Sequence, residues 1–484
     1  MHKRICLLLA LLTLLPLASC AGDGGDETIT ATNNGDTTAT ETEATVVTDD
    51  LPDDLNYGDR DFAMYTRQRT AFHAPINVEE STGEQLNDIL YERSRFVEER
   101  LGIVFVETYD TNDISPAKNM IIAGDDTYKL VTGRNIHTVQ YASEGLARHL
   151  DTLQYLDLSK PYWDSFLGKN LSMAGITYTA VGSYNLTGYD FTHVLLFNKN
   201  MTEDIQLASP YDLVKEGKWT FDTFQQYGEA ATVDTNGDGT FTKEDQYGFV
   251  SGTKQIPPSF WIGAGVQGIY KDKNDIPQFT MGTDEEFLDV LLHIYELIWD
   301  HGLWYVEHDL TDIPQSSIDL FSAGQSLMMD VTFFHVENFR EMEADFGILP
   351  YPKYTEEQTT YYSRIEGCEL PFVPSNLSED DANMTGAVLE ALASYSYQNV
   401  IPVYYDAYLK NKNTRDTESA DMLDIVFANR VFDLSDTVWC EQIRDNFIRT
   451  QFDANNRSLA SQIAANEEKV QASIDTIMDG FLGK

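Results

Sequence analysis

The residues with the clearest chemical spacing in this chain lie in a twelve-residue acidic segment, 234–245. Oxygen-bearing residues stand at its positions 1, 3, 5, 7 and 12, and they are Asp234, Asn236, Asp238, Thr240 and Asp245. Alternate side chains of such a loop converge on one hard cation, and glycine at position 6 permits the sharp turn. The spacing therefore predicts a structural Ca²⁺ site in which Thr240 offers its backbone carbonyl. Position 12 is Asp where Glu is usual, and the alternative is a polar turn without a metal.

The N-terminus has the pattern of an export signal. Lys3 and Arg4 precede an apolar run, 5–17, which is short for a membrane span but suits a secretory signal peptide. The run ends in Leu-Ala-Ser-Cys at 17–20, which resembles the bacterial lipobox that is cut before its cysteine. We therefore predict a signal peptide over 1–19 and lipid (palmitate) on Cys20, which anchors the chain to the extracellular face of the cell membrane. An ordinary signal peptide is the alternative.

The charge of the chain is strongly negative, with 33 Lys and Arg against 78 Asp and Glu, or −45. Ten of these acidic residues lie in 21–56, a Thr-rich stretch without Lys, Arg or aromatic residues. Such a stretch cannot bury enough apolar area to fold, so 20–56 is predicted to be the lipidated cysteine and a disordered tether. The acidic surface repels phosphate, which excludes nucleic-acid partners and weakens the case for anionic solutes.

Two cysteines remain once Cys6 in the signal and Cys20 are set aside, namely Cys368 and Cys440. In an exported protein such a pair can form a disulfide. Their separation in sequence says nothing about their distance in space. Two buried free thiols therefore stay an equal alternative at this point.

The folded part begins with alternating strand and helix patterns. Short apolar runs at 62–65, 103–106 and 128–131 are separated by helical periodicity over 86–101, which ends at Gly102, and around 117–123. This order predicts a largely parallel sheet with helices on both faces. Ligands of such sheets bind at the carboxyl ends of the strands, which makes Arg67, Arg134 and Asn135 candidate binding residues.

Later segments predict further elements. Apolar strands are expected at 194–197, 326–329 and 346–349, and mostly helices from 379 to the C-terminus. Thr220 is a plausible N-cap, and the Thr283–Glu286 spacing is that of a capping box. Prolines at 257–258 and glycines at 263 and 265 flank Trp261 and suggest a loop around it.

The chain has none of the short motifs of hydrolases or phosphate-binding enzymes. His-Glu-x-x-His, Gly-x-Ser-x-Gly and Gly-Lys-Ser/Thr are all missing from the sequence, and the nine histidines are scattered singly. We therefore expect a protein that is not an enzyme. Two carboxylates about 5–9 Å apart would suffice for a glycoside hydrolase, so that class stays open among so many acidic residues.

Five phrases along the body from Tyr57 to Lys484, together with the lipobox and the acidic tether, resemble family 1 extracellular solute-binding lipoproteins. This group feeds ABC importers and includes the maltose-binding proteins. The phrases are Phe-Asn-Lys at 197–199, Gly-Lys-Trp-Thr-Phe-Asp-Thr-Phe at 217–224, Asp-Gln-Tyr-Gly-Phe at 245–249, Gly-Gln-Ser-Leu-Met at 324–328 and Phe-Gly-Ile-Leu-Pro-Tyr-Pro-Lys at 346–353. Their order along the chain carries the resemblance.

The resemblance implies an α/β fold of the two-lobe, periplasmic-binding-protein type (type II), with a hinge and a central ligand cleft. It also implies several crossings between the lobes, which we expect near Thr192, Leu370 and Asp433. The expected segments are 57–192 for lobe 1, 193–370 for lobe 2 with the calcium-type loop 234–245, 371–432 for a return to lobe 1 and 433–484 for C-terminal helices of lobe 2. Cys368 and Cys440 would then share lobe 2, which favours a disulfide.

Further cleft residues follow from loop position, in the case of Trp261, and from position together with the same resemblance in the other cases. Aromatic and polar side chains expected at the cleft, beside Arg67, Arg134 and Asn135, are Trp261, Asp330, Phe333, Phe334 and Trp439. Aromatic rings of this kind cover the apolar faces of pyranoses. Arg364 and Glu366 flank a crossing and could equally form a structural ion pair.

The function implied is that of a monomeric receptor, which captures a carbohydrate and delivers it to the permease subunits of an ABC transporter. An oligosaccharide is the expected ligand. The alternatives are a surface-anchored glycoside hydrolase and a sensor or adhesin lipoprotein without a transport role.

Overall fold

The computed structural model describes residues 47–67, 76–110, 114–305, 314–405 and 415–483. The predicted signal peptide, Cys20 and most of the predicted tether lie outside the described residues. Within the described ranges, no helix combines the length and the apolar character that a membrane span requires.

Strands and helices alternate through the first half of the described chain, and helices dominate after residue 379. The strands are β1 (Arg60–Arg67), β2 (Ile103–Asp110), β3 (Leu130–Arg134), β4 (His193–Asn198), β5 (Tyr247–Val250), β6 (Ile269–Lys271), β7 (Pro277–Phe279), β8 (Ser326–Thr332), β9 (Phe346–Leu349), β10 (Ser363–Arg364), β11 (Glu369–Phe372) and β12 (Arg430–Val431). The first helices are α1 (Gln85–Leu101), α2 (Ser115–Ile122), α3 (Asn135–Ser143), α4 (Ser165–Leu171), α5 (Thr187–Asp190), α6 (Lys199–Asp204), α7 (Pro210–Lys215), α8 (Phe221–Ala231) and α9 (Ile256–Gly263). The later helices are α10 (Glu285–Tyr295), α11 (Gln315–Ser322), α12 (Glu379–Tyr395), α13 (Ile401–Val403), α14 (Thr417–Ala428), α15 (Leu434–Thr437), α16 (Arg449–Asp453) and α17 (Leu459–Phe481).

The first sheet has the strand order β11-β3-β1-β2 and forms the centre of lobe 1. β1 pairs in parallel with both β2 and β3, as the predicted β-α-β order requires, whereas β11 joins β3 antiparallel. Helices α1 and α12 pack together beside this sheet. Gly102 ends α1 in the left-handed region, at φ 59°, and its N–H returns to Glu98 O, so the predicted helix stop is confirmed.

The second sheet has the order β5-β8-β4-β9 and forms the centre of lobe 2. β4 is antiparallel to β8 and β9, and β5 is parallel to β8. All six residues of β4 and all seven of β8 are buried, which explains their near-continuous apolar sequence. The strands predicted at 194–197, 326–329 and 346–349 are confirmed.

Three chain segments run side by side between the two sheets. Thr192 pairs with Ile365 in an isolated antiparallel bridge, and the short strands β10 and β12 pair in parallel. Because β4 starts at His193 and β11 starts at Glu369, the first two of these segments lead directly from one sheet to the other. These segments connect the two lobes.

The segment expected to return to lobe 1, 371–432, is divided between the lobes. Its first helix, α12, packs on α1, but α14 packs on β9 of the second sheet. Ser419 of α14 accepts the backbone N–H of Ile348 at 3.1 Å, which fixes that contact. The last helix, α17, contacts α10 and β7 of lobe 2 and also α3 of lobe 1.

Two predicted helix starts behave differently. Thr220 caps α8 and forms a capping box with Thr223, as predicted for the cap position. Helix α10 is capped by Asp284 rather than Thr283, because the Asp284 carboxylate accepts the N–H groups of both Glu286 and Phe287. The expected loop around Trp261 is wrong: Pro257 and Pro258 lie in the first turn of α9, where a missing N–H costs nothing.

Candidate functional site

Three of the predicted binding residues meet at the segment that leads into β11. Arg67, at the end of β1, forms an ion pair with Glu369. Arg134 ends β3 and Asn135 begins α3, and a Cβ on Gly367 would lie 3.3 Å from Arg134 Nη2 and 3.2 Å from Asn135 Oδ1. The carboxyl ends of β1 and β3 therefore bring Arg67, Arg134 and Asn135 against the crossing segment, as parallel strands do.

Polar hydrogens at this junction are buried without acceptors. Among the described residues, no acceptor lies within hydrogen-bonding distance of Arg134 Nε, Asn135 Nδ2 or Trp439 Nε1. Asn135 and Trp439 are almost completely buried. Burial raises the pKa of the Cys440 thiol, and Arg134 is one of the charges that act on it, so Arg134 lies near the residue that follows Trp439. The adjacent residues Arg134 and Asn135 thus each hold a buried donor without an acceptor, and leaving a buried donor unpaired is costly.

A buried network of charged side chains adjoins the junction on the lobe 2 side. Arg364 reaches Asp436 with Nε at 2.6 Å and Nη2 at 2.9 Å. Arg444 Nη1 lies 3.0 Å from Asp436 and 3.3 Å from Glu366, and Lys254 Nζ lies 3.3 Å from Glu366. Each cation thus has a carboxylate partner, which is the condition for burying charge in a protein.

His193 connects this network to β8. Its Nδ1 lies 2.9 Å from Asp330 Oδ1, and its Nε2 lies 3.1 Å from Arg364 Nη1 and 3.7 Å from Glu366 Oε2. Ser251 donates to the other oxygen of Asp330 at 3.2 Å. Burial opposes ionisation of Asp330, but His193 together with Tyr351 and Arg364 outweighs burial and holds the pKa of Asp330 below its usual value. Asp330 is therefore an ionised residue held in place by neighbouring donors.

Several predicted residues are packed inside the protein. Trp261 is fully buried, and its Nε1–H donates to Asp433 at 3.3 Å while its ring contacts Phe287. Phe333 is fully buried against Phe427, and Phe334 is half-buried beside His335. In this structure Trp261 and Phe333 offer no exposed ring face to a ligand, because core side chains cover them.

Sequence reasoning named Arg364 and Glu366 only as residues beside a crossing, and it missed His193, Lys254 and Arg444. The structure places Arg364 4.0 Å from Glu366, within a larger set of ion pairs. His193 carries the one recognisable sequence pattern, since it opens a fully apolar strand directly after a predicted crossing.

The calcium-type loop 234–245 folds as a compact turn whose side-chain oxygens accept backbone N–H groups. Asp234 accepts from Gly237 and Gly239, both at 2.7 Å, and Asp238 accepts from Thr240 at 2.7 Å. Asp245 accepts from Thr235 at 2.9 Å and from Thr242 at 2.7 Å, and these backbone N–H groups lower its pKa. In the described ranges, no three acidic, histidine or cysteine side chains are grouped tightly enough to bind a metal. Calcium at this loop stays a prediction.

Cys368 and Cys440 are both buried free thiols in the structure, which is the alternative to the predicted disulfide. Cys368 lies at the junction, since its backbone oxygen accepts the Asn135 N–H at 3.2 Å. Burial raises the pKa of the Cys368 thiol, so it stays protonated and unreactive.

Several solved structures that resemble this fold are solute-binding proteins. A family 1 extracellular solute-binding protein from Bifidobacterium longum subsp. infantis matches with TM-score 0.56 and 14% identity, covering 86% of this chain and 100% of that one. A cyclo/maltodextrin-binding protein complexed with maltotetraose matches with TM-score 0.55 and 13% identity, covering 87% and 97%. An ABC substrate-binding protein from Listeria monocytogenes in complex with cycloalternan matches with TM-score 0.51 and 15% identity, covering 88% and 99%.

No protein-family model and no curated protein sequence matches this chain. The structural matches span almost the whole of each solved chain at low sequence identity. The chain therefore has the two-lobe α/β fold of the extracellular solute-binding proteins, as the sequence resemblance implies.

Proposed function

We propose that this protein is a receptor that captures a saccharide between its two lobes and delivers it to the permease subunits of an ABC importer, without catalysing a reaction. The observation that carries the proposal is the set of buried donors without acceptors on Arg134, Asn135 and Trp439. Hydroxyl and ring oxygens of a sugar are acceptors of the kind these donors lack. Proteins of this fold have been solved with maltotetraose and cycloalternan, which supports a glucan-type oligosaccharide.

The mechanism of capture follows from the crossings. Arg134 and Asn135 lie on lobe 1, whereas Trp439 belongs to the segment after Asp433 that joins the lobe 2 network. A ligand that contacts both sets stabilises the closed arrangement, because it loses half of those contacts when the lobes separate. A permease that recognises the closed arrangement would then accept only loaded receptor.

Titration calorimetry with maltotetraose, cycloalternan and other neutral oligosaccharides tests the proposal. We expect at least one of these sugars to bind, and Arg134→Met to weaken binding about 10- to 100-fold, as loss of one charged hydrogen bond does. The matched control is Arg60→Met, since Arg60 pairs with Asp380 and Asp381 on the outside of lobe 1 and should not affect binding.

Three outcomes would contradict parts of this proposal. Hydrolysis of a glycoside by the purified chain, without stable binding of any sugar, would favour a surface hydrolase. Sugar binding that Arg134→Met and Arg60→Met leave equally unchanged would move the ligand away from the proposed junction. Binding without importer subunits among co-purified proteins would favour a sensor.

We also propose that the loop 234–245 binds Ca²⁺ as a structural ion. Asp234, Asn236, Asp238 and Asp245 supply side-chain oxygens and Thr240 a carbonyl, the donor set that Ca²⁺ prefers. A ligand at 100 times its dissociation constant stabilises the folded state by about 2.7 kcal/mol. We expect Ca²⁺ to raise the melting temperature and EDTA to reverse the effect.

The calcium prediction has an internal control within the same loop. Asp238→Ala should abolish the Ca²⁺-dependent shift, while Glu244→Ala, at a position that does not face the predicted ion, should keep it. Equal melting temperatures in Ca²⁺ and EDTA for the unaltered chain would count against the metal.

The anchoring is likewise a proposal. The lipobox at 17–20 and the acidic tether support an exported, monomeric receptor attached to the outer face of the cell membrane by lipid on Cys20 alone. A Cys20→Ser chain that stays in the membrane fraction would contradict this attachment.

A further inference from the structure

A second contact joins the lobes at a distance in sequence from the crossings, between two tight turns. On lobe 1 it involves the end of α4 and the turn 172–175, and on lobe 2 it involves the β6–β7 hairpin turn 271–275. We call these two turns the clasp. The lobe assignments are independent of the contact itself: Thr179, just after the first turn, donates to Pro371 O of β11 at 2.6 Å, while the hairpin follows α9, whose Phe260 packs on Phe249 of β5.

Asp275 is the centre of the clasp. Its Oδ2 accepts the Ser172 hydroxyl at 2.8 Å and the Gly175 N–H at 3.0 Å, and its backbone carbonyl accepts the Ala174 N–H at 2.9 Å. One residue of lobe 2 thus receives three hydrogen bonds from consecutive parts of a lobe 1 turn. Such density is unusual for a contact between surface turns, where most polar groups bond to water.

Lys271 completes the clasp from the other strand of the hairpin. Its ammonium donates to Lys169 O and, at 2.7 Å, to Ser172 O, and it pairs with Asp275 Oδ1 at 3.0 Å. The carbonyls at the end of a helix have no partners within the helix and carry partial negative charge. A lysine from lobe 2 therefore supplies the cation that the end of α4, on lobe 1, requires.

The backbone of both turns adopts uncommon conformations that suit this contact. Ala174 has φ 52° and Asp275 has φ 62°, in the left-handed region that non-glycine residues seldom occupy. Such conformations persist where the surroundings compensate for them. For Ala174 the compensating interaction is the hydrogen bond from its N–H to Asp275 O, which belongs to the other lobe.

The C-terminal end of α17 enlarges the same contact. A Cβ on Gly480 would lie 2.0 Å from Ser143 O of α3, and the Phe481 ring lies 5.3 Å from the Tyr178 ring. Tyr178 is close enough to Asp275 for that charge to act on its hydroxyl. The clasp and the end of α17 thus form one continuous surface between the lobes.

We propose that the clasp sets the balance between the open and closed arrangements of the two lobes, and that it separates whenever the lobes open. The crossings are covalent and remain in both arrangements. The clasp bonds are polar and partly exposed, so water can replace them at a small net change in free energy. They favour the arrangement of the lobes seen in this structure even without a ligand, yet they allow the lobes to open further.

Two variants weaken the clasp while keeping the backbone of the hairpin. Asp275→Gly keeps the left-handed conformation and deletes the carboxylate, and Lys271→Met keeps the apolar stem and deletes the charge. We expect both variants, without any added sugar, to have a larger radius of gyration in small-angle X-ray scattering than the unaltered chain. Amide exchange at Ala174 and Gly175 should become about tenfold faster, as expected when a local contact opens more often.

Lys273→Met is the matched control, because Lys273 is exposed on the same hairpin turn and the substitution removes the same positive charge. It should leave the radius of gyration and the amide exchange unchanged. Gly480→Val tests the same surface by adding a side chain instead of deleting one. The valine side chain would collide with Ser143 O and should also open the lobes. Far-ultraviolet circular dichroism verifies that each variant is folded.

Scattering and exchange that stay at the unaltered values in Asp275→Gly, Lys271→Met and Gly480→Val would overturn the proposal. None of these measurements uses a sugar, so their outcome does not depend on whether the protein captures a saccharide. For any ligand that contacts both lobes, opening lowers the fraction of competent receptor and weakens the apparent affinity by the same factor.

Discussion

Asp436→Asn should destabilise the folded chain by about 3–5 kcal/mol, the cost of breaking a buried ion pair from one side. Asp436 is almost completely buried and accepts Arg364 Nε at 2.6 Å and Arg444 Nη1 at 3.0 Å. Its removal leaves Arg364 with only Glu366 as a carboxylate partner, at 4.0 Å, while Arg444 keeps Glu366 at 3.3 Å and Asp445 at 2.7 Å. The urea midpoint of unfolding, followed by tryptophan fluorescence, measures the loss.

An exposed pair provides the comparison for this prediction. Arg457 pairs with Asp300 at the surface, with 34% and 45% of the two side chains exposed. Arg457→Met should change stability by less than about 1 kcal/mol, because water screens such pairs. Equal midpoints for Asp436→Asn and Arg457→Met would mean that the network contributes no more than surface charges do.

Sequence patterns predicted the parts of the fold that local interactions determine. β1, β2 and α1 follow from alternating periodicity, and Gly102 ends the helix because glycine tolerates a positive φ. The choice between Thr283 and Asp284 as cap lies beyond such patterns, since both residue types are good caps. β11 was missed as a sheet member for a different reason. Its partner β3 lies more than two hundred residues earlier, and no local pattern encodes that pairing.

The residues of the candidate site likewise form two groups, those that sequence patterns predicted and those that they missed. Arg67, Arg134 and Asn135 were predicted because the ends of parallel strands are local features that topology brings together. The buried network was largely missed because His193, Lys254 and Arg444 come from distant segments, and charged residues are normally exposed. Trp261 was expected in a loop because prolines precede it, but proline in the first turn is compatible with the helix α9.

The buried carboxyl of Asp190 should make stability fall as pH rises. Burial raises its pKa from 3.8 to about 7, and Glu337 adds to the shift. The folded state therefore holds a proton that the unfolded state releases, so the stabilisation is complete below about pH 4 and is lost as pH rises to about 7. At about 1.4 kcal/mol for each pH unit, the difference reaches at most about 4 kcal/mol.

Asp190→Asn removes this dependence while keeping the local hydrogen bond, because an amide oxygen can accept the Tyr404 hydroxyl, which lies 2.7 Å from Asp190 Oδ1. We expect the free energy of unfolding of the variant, relative to that of the unaltered chain, to increase by up to about 3 kcal/mol between pH 5 and pH 8. Urea unfolding at both pH values measures this difference. Asp421→Asn, at an exposed position, should give the same difference at both pH values. If the difference in unfolding free energy between Asp190→Asn and the unaltered chain is equally constant, Asp190 ionises as readily in the folded chain as in the unfolded one. Water would then reach the Asp190 carboxyl beside Tyr404.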